Sequence, residues 1–407
     1  MIGVALQQSK TMIKEMAFVD YIAVFAFVVT LSFHDYTKIV VPAQLLFFVT
    51  VFFINVRRGF LRVPRSIKCY IVRYVCFALF VTISYVWSIN QDNGVSIILS
   101  MIQCTMLSCA ILYYGYRLKN LYIMIITSII AAILLCLRLF IEVPVRAWGT
   151  ERVGTYIGYG NVGVDYVLVF ASIISFYVAL IKKKRLYYIL TILFLAFDAL
   201  SGSKKGLVTF VLVVVFLLLK STKNIVKTIR RLLIAGALVA VIIYLMLNVE
   251  LFRKSVGERF INAIDQLAGR AIDKSTRDRS KLVEWSLETF IQNPIIGVGV
   301  DGFRRSPVNA LHYYAHNNYL EILANFGFVG FVLYYFGLLK TLLRSIKRKY
   351  INQDYWLLGV AMLIASLILD FTAVAYTHET LQLFLAFSMV FIISDRTPKV
   401  AINDKTE

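Results

Sequence analysis

Blocks of apolar residues alternate with short polar segments along most of the chain. Each block is about 15 to 25 residues long, and a helix needs roughly 20 apolar residues to cross a bilayer. The pattern predicts an all-α, polytopic integral membrane protein with about twelve transmembrane helices. Their expected bounds are 17–33, 39–54, 70–89, 95–114, 121–141, 162–181, 186–200, 205–219, 231–249, 318–339, 356–376 and 380–394.

The composition agrees with this interpretation. Of the 407 residues, 59% are hydrophobic and 16% are charged, whereas a soluble domain carries roughly a quarter of charged residues. The five cysteines fall in the predicted spans or at their edges, so we expect neither a structural disulfide nor a cysteine-based metal site.

Lysine and arginine are concentrated in every second polar segment. Residues 57–73, 182–185 and 340–349 are basic, whereas residues 90–93 contain no cation. By the positive-inside rule, the basic segments and both termini are cytoplasmic. The net charge of +20 thus reflects topology, and we expect no binding to nucleic acid.

These bounds predict four parts of the chain. Helices 1–9 occupy residues 1–249, a long exterior loop that carries part of the active site occupies 250–317, helices 10–12 occupy 318–394, and a cytoplasmic tail occupies 395–407. Within the loop, apolar residues at three- and four-residue spacing from Leu282 to Ile291 predict an amphipathic helix, with Ser280 as its possible N-cap.

A glycine-rich turn at residues 293–303 follows this helix and has two interpretations. It is either a plain loop or an anion site, and the arginines near it in sequence favour the second. Arg277 and Arg279 precede the turn and Arg304 and Arg305 follow it, and a guanidinium matches the geometry of phosphate oxygens. The alternative is a solvated face on which these arginines pair with neighbouring acidic residues.

The re-entry of the chain into the membrane is unusually polar. On a helix that begins near Asn317, the side chains of Asn318, Glu321 and Asn325 share one face. Such groups are costly at membrane depth, so they indicate either hydrogen bonding between helices or a chemical function.

Two motifs in this region resemble those of the O-antigen ligase and polymerase superfamily. The first is Asn293-Pro294-Ile295-Ile296-Gly297-Val298-Gly299, and the second runs from His316-Asn317-Asn318-Tyr319-Leu320 to Gly330. The resemblance covers about residues 150–345 and includes Arg152 and Ser201-Gly202-Ser203-Lys204-Lys205-Gly206. The family usually has Ser-Arg-Gly in this last segment, so the lysines keep the charge but lose the guanidinium fork.

The resemblance implies a GT-C-like helical bundle in the inner (cytoplasmic) membrane of a bacterium. It implies glycosyl transfer from an undecaprenyl-diphosphate-linked oligosaccharide on the exterior face, with no cofactor and no metal. The expected partners are this glycan lipid, the surrounding membrane lipid, and a chain-length regulator and flippase of the same pathway.

The resemblance also suggests a role for each site residue. His316 is the expected base for the acceptor hydroxyl, and Glu321 either orients that imidazole or is itself the base. Arg279 is expected to stabilise the charge of the leaving diphosphate. The further substrate-binding residues are expected to be Arg152, Lys204, Lys205, Arg277, Arg305, Asn317, Asn318 and Tyr319.

Polymerases and ligases share these motifs. We expect a polymerase of O-antigen, capsule or exopolysaccharide, because the varied lysine motif fits the more varied group. The alternatives are a ligase that loads glycan onto lipid A core, a protein glycosyltransferase, and a flippase or transporter of lipid-linked oligosaccharide.

Overall fold

The computed structural model describes most of the chain. The described residues are 18–58, 65–117, 121–144, 147–148, 153–202, 204–221, 224–231, 274–346 and 355–394, with single residues between 233 and 248. The predicted span 231–249, the first part of the predicted loop, Arg152 and the tail therefore lie wholly or largely outside the described residues.

Helices make up nearly all of the described regular structure. They are α1 (Phe18–Ser32), α2 (Thr37–Arg58), α3 (Arg65–Ile83), α4 (Gln91–Arg117), α5 (Tyr122–Glu142), α6 (Gly160–Ile181), α7 (Leu186–Leu200), α8 (Lys204–Lys220), α9 (Lys274–Gln292), α10 (Asn318–Ile346), α11 (Trp356–Leu369) and α12 (Glu379–Ser394). Three short 3-10 turns lie at Ser84–Trp87, Val153–Thr155 and Gly302–Arg305. The described part of the chain contains no strand, which confirms the all-α class.

Six of the described helices are long and apolar enough to cross a membrane: α2, α3 with its 3-10 turn, α4, α5, α6 and α10. Four more, α1, α7, α11 and α12, are apolar but shorter. Together they confirm a polytopic membrane protein, with helix ends close to the predicted bounds.

The centre of the bundle is formed by helices that are apolar on every face. Most residues of α6, α11 and α12 are buried, as expected for helices without a polar stripe. Helix α12 packs against α4, α11, α6 and α1, and α10 packs against α3, α9 and α11. This arrangement holds α10, which carries the polar motif, between the bundle and the loop helix α9.

The α1–α2 connection, the end of α5 and the segment before α6 meet at one end of the bundle, which we call the polar end. There the side chain of Arg138 at the end of α5 binds both carboxylate oxygens of Asp35, at 2.6 and 2.7 Å, and also pairs with Glu142. At the same end, Tyr159 donates to the carbonyl of Leu31 at 2.9 Å. Arg138 thus connects α5 to the α1–α2 connection.

Helix α9 begins earlier than its predicted N-cap. Ser280 lies inside the helix and donates to the carbonyl of Thr276 at 3.1 Å, so the prediction that Ser280 caps the helix is wrong. The helix itself is present, but only part of its predicted apolar face is buried, since Leu282 is buried whereas Leu287 and Ile291 are exposed. The buried face lies against α10.

Candidate functional site

Helix α10 is broken at Gly327, and the glycine-rich turn fills the break. The backbone of Gly327 is non-helical, with φ 62° and ψ −163°, which separates residues 318–326 from 328–346. A break leaves helix N–H and C=O groups without their usual partners. The turn supplies partners, because Phe328 N–H donates to Pro294 at 2.8 Å and Gly299 N–H donates to Asn325 at 2.8 Å.

Two glycines make this close approach possible. Gly297 and Gly327 both have positive φ, 66° and 62°, and a Cβ on either would overlap the backbone of the other segment. A second N–H group of the turn also takes part in this contact, since Val298 donates to Ala324 at 3.1 Å. The turn therefore acts as a clamp on α10.

Glu321 fastens the loop that carries His316. One oxygen of its buried carboxylate accepts the N–H of Ala315 at 2.6 Å, and the other accepts the side-chain amide of Asn325 at 2.9 Å. Asn325 in turn accepts the N–H of Phe303 at 2.8 Å. One face of α10 therefore holds the loop both before His316 and at the turn of Phe303.

His316 is half-buried and has an uncommon backbone conformation. Its φ is 52°, in the left-handed region that few non-glycine residues adopt and that often marks functional sites. Its ring lies against Tyr314, with 4.1 Å between ring centroids. The anchored N–H of Ala315 immediately precedes it, so the imidazole has a defined position at the start of α10.

Two arginines lie beside Tyr314. The guanidinium of Arg304 is 5.4 Å from the ring centroid and pairs through Nε with Asp301 at 2.9 Å. Burial raises the pKa of Tyr314, whereas the charges of Arg304 and Arg279 lower it. Packing of α9 on α10 thus brings Arg279 close enough to act electrostatically on Tyr314.

The sequence indicates Arg304 only as a cation beside the turn, whereas its neighbour Arg305 is the residue expected to bind substrate. Inside a 3-10 turn, neither hydrophobic periodicity nor spacing indicates which of two adjacent arginines faces inward. The one available signal was Asp301, three residues earlier, which is the partner that holds Arg304. Arg305 instead lies 3.7 Å from Asp92, and both side chains are largely exposed.

The carboxamides and the tyrosine at the start of α10 make hydrogen bonds within the fold. Asn317 caps the helix by accepting Leu320 N–H at 3.2 Å. The buried side chain of Asn318 donates to Tyr335 at 2.7 Å and accepts the N–H groups of the 375–376 backbone at 2.8 and 3.1 Å. Tyr319 donates to the carbonyl of Leu367 at 2.8 Å. These hydrogen bonds join α10 to the α11–α12 connection.

Lys205 belongs to a second cluster of polar side chains, which includes two buried aspartates. Its ammonium is 3.4 Å from the fully buried carboxylate of Asp165 and 4.8 Å from the ring centroid of Tyr166. Asp198 is also fully buried, and a Cβ at Gly206 would overlap both carboxylates. Lys204 precedes it at the start of α8 and is half-buried.

Tyr166 connects these two groups. It interacts electrostatically with Asp370, with Asp165 and with Tyr314. Its ring meets that of His378 at 4.9 Å, and His378 stacks on His34 at 5.7 Å. Lys205 and the His316 loop therefore belong to one polar region at the polar end of the bundle. Arg277 lies on α9 with its side chain exposed.

The described residues were also compared with the arrangement that a metal site requires. Over the part of the chain that the structure describes, no three His, Cys, Asp or Glu side chains are placed to hold a metal ion.

A comparison with protein families identifies this region. Residues 189–335 match the family model described as O-antigen ligase, an interval that contains α8, α9, the glycine-rich turn and His316. No curated protein matches the chain. This match confirms, over residues 189–335, the resemblance of the chain to the O-antigen ligase and polymerase superfamily.

Proposed function

We propose that the protein is a polysaccharide polymerase. It transfers a glycan from undecaprenyl diphosphate to a hydroxyl of another lipid-linked repeat unit, on the exterior face of a bacterial cytoplasmic membrane with both termini inside. The observation that carries the proposal is the His316 imidazole, held beside Tyr314 with Arg304 and Arg279 next to the same ring.

His316 is the base in this proposal, and Glu321 is a positioning residue. A base must reach the hydroxyl from which it takes a proton. Both oxygens of Glu321 already accept hydrogen bonds, and its side chain is buried. His316 is half-buried at the start of the helix, and imidazole has an ordinary pKa close to the working pH.

The cations bind the leaving group. Arg279 is exposed, Arg304 is held by Asp301, and Lys205 is held by Asp165. Preorganised positive groups stabilise charge that develops as a bond breaks. Arg152 and Lys204 are further proposed ligands of the diphosphate or the glycan. We assign Asn318 and Tyr319 to the fold, since their polar atoms are used within it.

In the proposed step, the acceptor oxygen attacks the anomeric carbon while its proton passes to His316. The new carbon–oxygen bond forms as the bond from the anomeric carbon to the phosphate oxygen breaks. The electron pair leaves with the lipid diphosphate, and the imidazolium later returns its proton to water. Attack from the side opposite the diphosphate inverts the anomeric configuration.

Replacement of His316 by Ala tests the base. General-base catalysis contributes about 10² to 10⁴ in rate, so we expect glycan chains to shorten to one or a few repeats in cells that carry only this variant. The protein level in the membrane is measured in parallel by immunoblot. Normal chain length at normal protein level would exclude His316 as the base.

A ligase is the second candidate function, favoured by the description of the matching family model. Purified protein in nanodiscs separates the two functions. With the lipid-linked repeat unit as the sole glycan substrate, a polymerase makes longer lipid-linked chains. A ligase makes none until a lipid A core acceptor is added. A flippase makes no new linkage under either condition.

The proposed partners follow from the same pathway. The lipid-linked oligosaccharide and membrane lipid are substrate and surroundings, and a chain-length regulator and a flippase are the expected neighbours. Co-purification of either protein with the tagged chain from native membranes tests this part. Neither partner is needed for the assays described above.

A further inference from the structure

One row of apolar side chains on α9 faces away from the bundle. Val283, Leu287 and Ile291 follow one another at four-residue spacing, so they lie along one side of the helix. All three are exposed, Leu287 by 41% and Ile291 by 73%. Leu282 lies on the adjacent side and is buried in a small cluster with Ala324 of α10. The exposed row is therefore not part of the contact between α9 and α10, and the described part of the chain leaves it uncovered.

The charged residues of α9 occupy a third side. A helix turns by about 100° per residue, which places Glu284 and Glu288 roughly opposite to Leu282, and both are exposed. Helix α9 thus presents one side to the protein, one apolar side and one charged side. An apolar side next to a charged side, on a helix that is not apolar overall, is typical of helices that lie in the plane of a membrane interface.

The apolar row continues onto the lipid-facing side of α10. Ile295, which follows α9 in the glycine-rich turn, is 68% exposed, and Phe328 is 60% exposed. Their segments are joined, because Val329 N–H donates to the carbonyl of Ile295 at 3.1 Å. Further along α10, Val332 and Phe336 are exposed at the same four-residue spacing. Because α10 is long and apolar enough to cross a membrane, this exposed side faces lipid.

The combined strip is large for a surface that faces water. From Val283 to Ile291, and again from Phe328 to Phe336, the row is roughly 12 Å long at about 1.5 Å per residue. The exposed side chain of Ile295 lies between the two parts. Soluble surfaces rarely carry contiguous apolar patches of more than roughly a few hundred Å². Since the α10 part belongs to a span, lipid is the occupant that fits the α9 part as well.

We propose that the apolar row of α9 is seated in the lipid leaflet at the polar end of the bundle, with α9 lying along the membrane interface. Its partner is the acyl-chain region of the membrane lipid. The inference goes beyond the proposed function and does not rest on it, because the contact needs only the exposed row and its continuation on α10.

Arg279 begins the same row, four residues before Val283. Its side chain is exposed, and its charge acts on Tyr314 in the candidate site. The apolar stem of an arginine lies along apolar surface while its guanidinium stays among polar groups. With the row in the leaflet, this guanidinium is at the level of the lipid phosphates. A lipid that carries phosphate therefore reaches Arg279 without leaving the membrane.

Photochemical cross-linking of the full chain in lipid nanodiscs tests the contact. The photoreactive residue p-benzoylphenylalanine replaces Leu287 or Ile291 in the row, Glu288 on the charged side, or Phe336 on α10, one at a time. After irradiation, the mass of the intact protein reports an added lipid. We expect lipid adducts at Leu287 and Ile291 in yields close to that at Phe336, and loss of the adduct at Glu288.

A double substitution within the row tests the cause of the contact. Leu287→Ser with Ile291→Ser removes exposed apolar surface equal to about one side chain, so the lipid adduct of a photoreactive residue at Val283 should fall about tenfold. Glu284→Ser with Glu288→Ser changes the charged side instead and should leave this adduct unchanged. Near-ultraviolet circular dichroism checks that both double variants keep the tertiary fold, since neither alters the buried side of α9.

Four results would overturn the proposal. No lipid adduct at Leu287 while Phe336 reacts would place the row in water, and equal adducts at Leu287 and Glu288 would exclude a defined side toward lipid. A cross-link from Leu287 to a second copy or to another segment of the chain would assign the row to a protein contact. An unchanged adduct at Val283 in the folded Leu287→Ser, Ile291→Ser variant would show that the row contributes nothing. His316→Ala should keep every lipid adduct, so failure of the proposed chemistry is a separate result.

Discussion

The carboxylate of Glu321 accepts the backbone N–H of Ala315 at 2.6 Å. This bond fixes the residue that directly precedes His316, and it does so from within the buried face of α10. The sequence alone allowed either a structural or a chemical role for the polar face of this helix. In the structure, this face holds the loop in place. In the proposed function, the chemistry is assigned to the residues that the loop presents.

The first prediction concerns Glu321→Gln. The carboxylate receives two donors, Ala315 N–H and the Asn325 amide, but a Gln side chain has only one oxygen. Its NH₂ must face one of these donors, which costs about 1–3 kcal/mol for an unsatisfied buried group. We expect a lower unfolding midpoint, measured by scanning fluorimetry in detergent, together with reduced glycan transfer.

Glu284→Gln, at an exposed position on α9, is the control for this change and should alter neither quantity. Two results together would reverse the assignment. Glu321→Gln would lose glycan transfer without a change in its unfolding midpoint, and His316→Gln would keep the pH dependence of glycan transfer unchanged. Glu321 would then be the base.

Gly297→Ala should destabilise the clamp between the turn and α10. The left-handed conformation alone costs roughly 1–2 kcal/mol for a residue with a Cβ, and the added carbon would overlap the backbone of Asn325. We expect a lower midpoint and faster proteolysis of the loop in purified protein. Gly236→Ala is the control, because no described residue lies within 4 Å of a Cβ at that position. Equal midpoints for the two variants would show that the clamp contributes nothing.

Gly206→Ala should disturb Lys205 through its aspartate partners. A Cβ at this position would overlap the carboxylates of Asp165 and Asp198, which are fully buried and have little room to move. We expect weaker binding of inorganic diphosphate, measured by calorimetry, in addition to a lower midpoint. Lys205→Gln should show the same loss of diphosphate binding with a smaller change in midpoint. Normal diphosphate binding by Lys205→Gln would remove this lysine from the proposed site.

Asn318→Ala distinguishes a structural residue from a substrate ligand. The substitution leaves the N–H groups of Ala375 and Tyr376 without their acceptor, at about 1–3 kcal/mol for each buried group. We therefore expect poor accumulation of folded protein in membranes, while the folded fraction transfers glycan with nearly normal KM. Asn248→Ala, at an exposed position, should accumulate normally. A normal yield with a much higher KM would return Asn318 to the substrate-binding residues.

Local patterns predicted much of the helical structure. Apolar blocks of bilayer length gave helix ends close to those of α6 and α12, and the start of α10 at Asn318 matches the predicted start near Asn317. The error at Ser280 is also local, since α9 begins six residues earlier at Lys274 because a serine inside a helix can bond to the preceding turn.

The sequence by itself determined the class of the protein, the positions of most spans and the motif that contains His316. These properties depend on bilayer thickness, helical period and adjacent residues, all of which are readable along the chain. The tertiary structure decided which polar groups the fold uses. Asn318 meets the backbone of residue 375, and Asn90 meets Asp301 across 211 positions. Hydrogen-bond partners so far apart follow from helix packing, which no local pattern records.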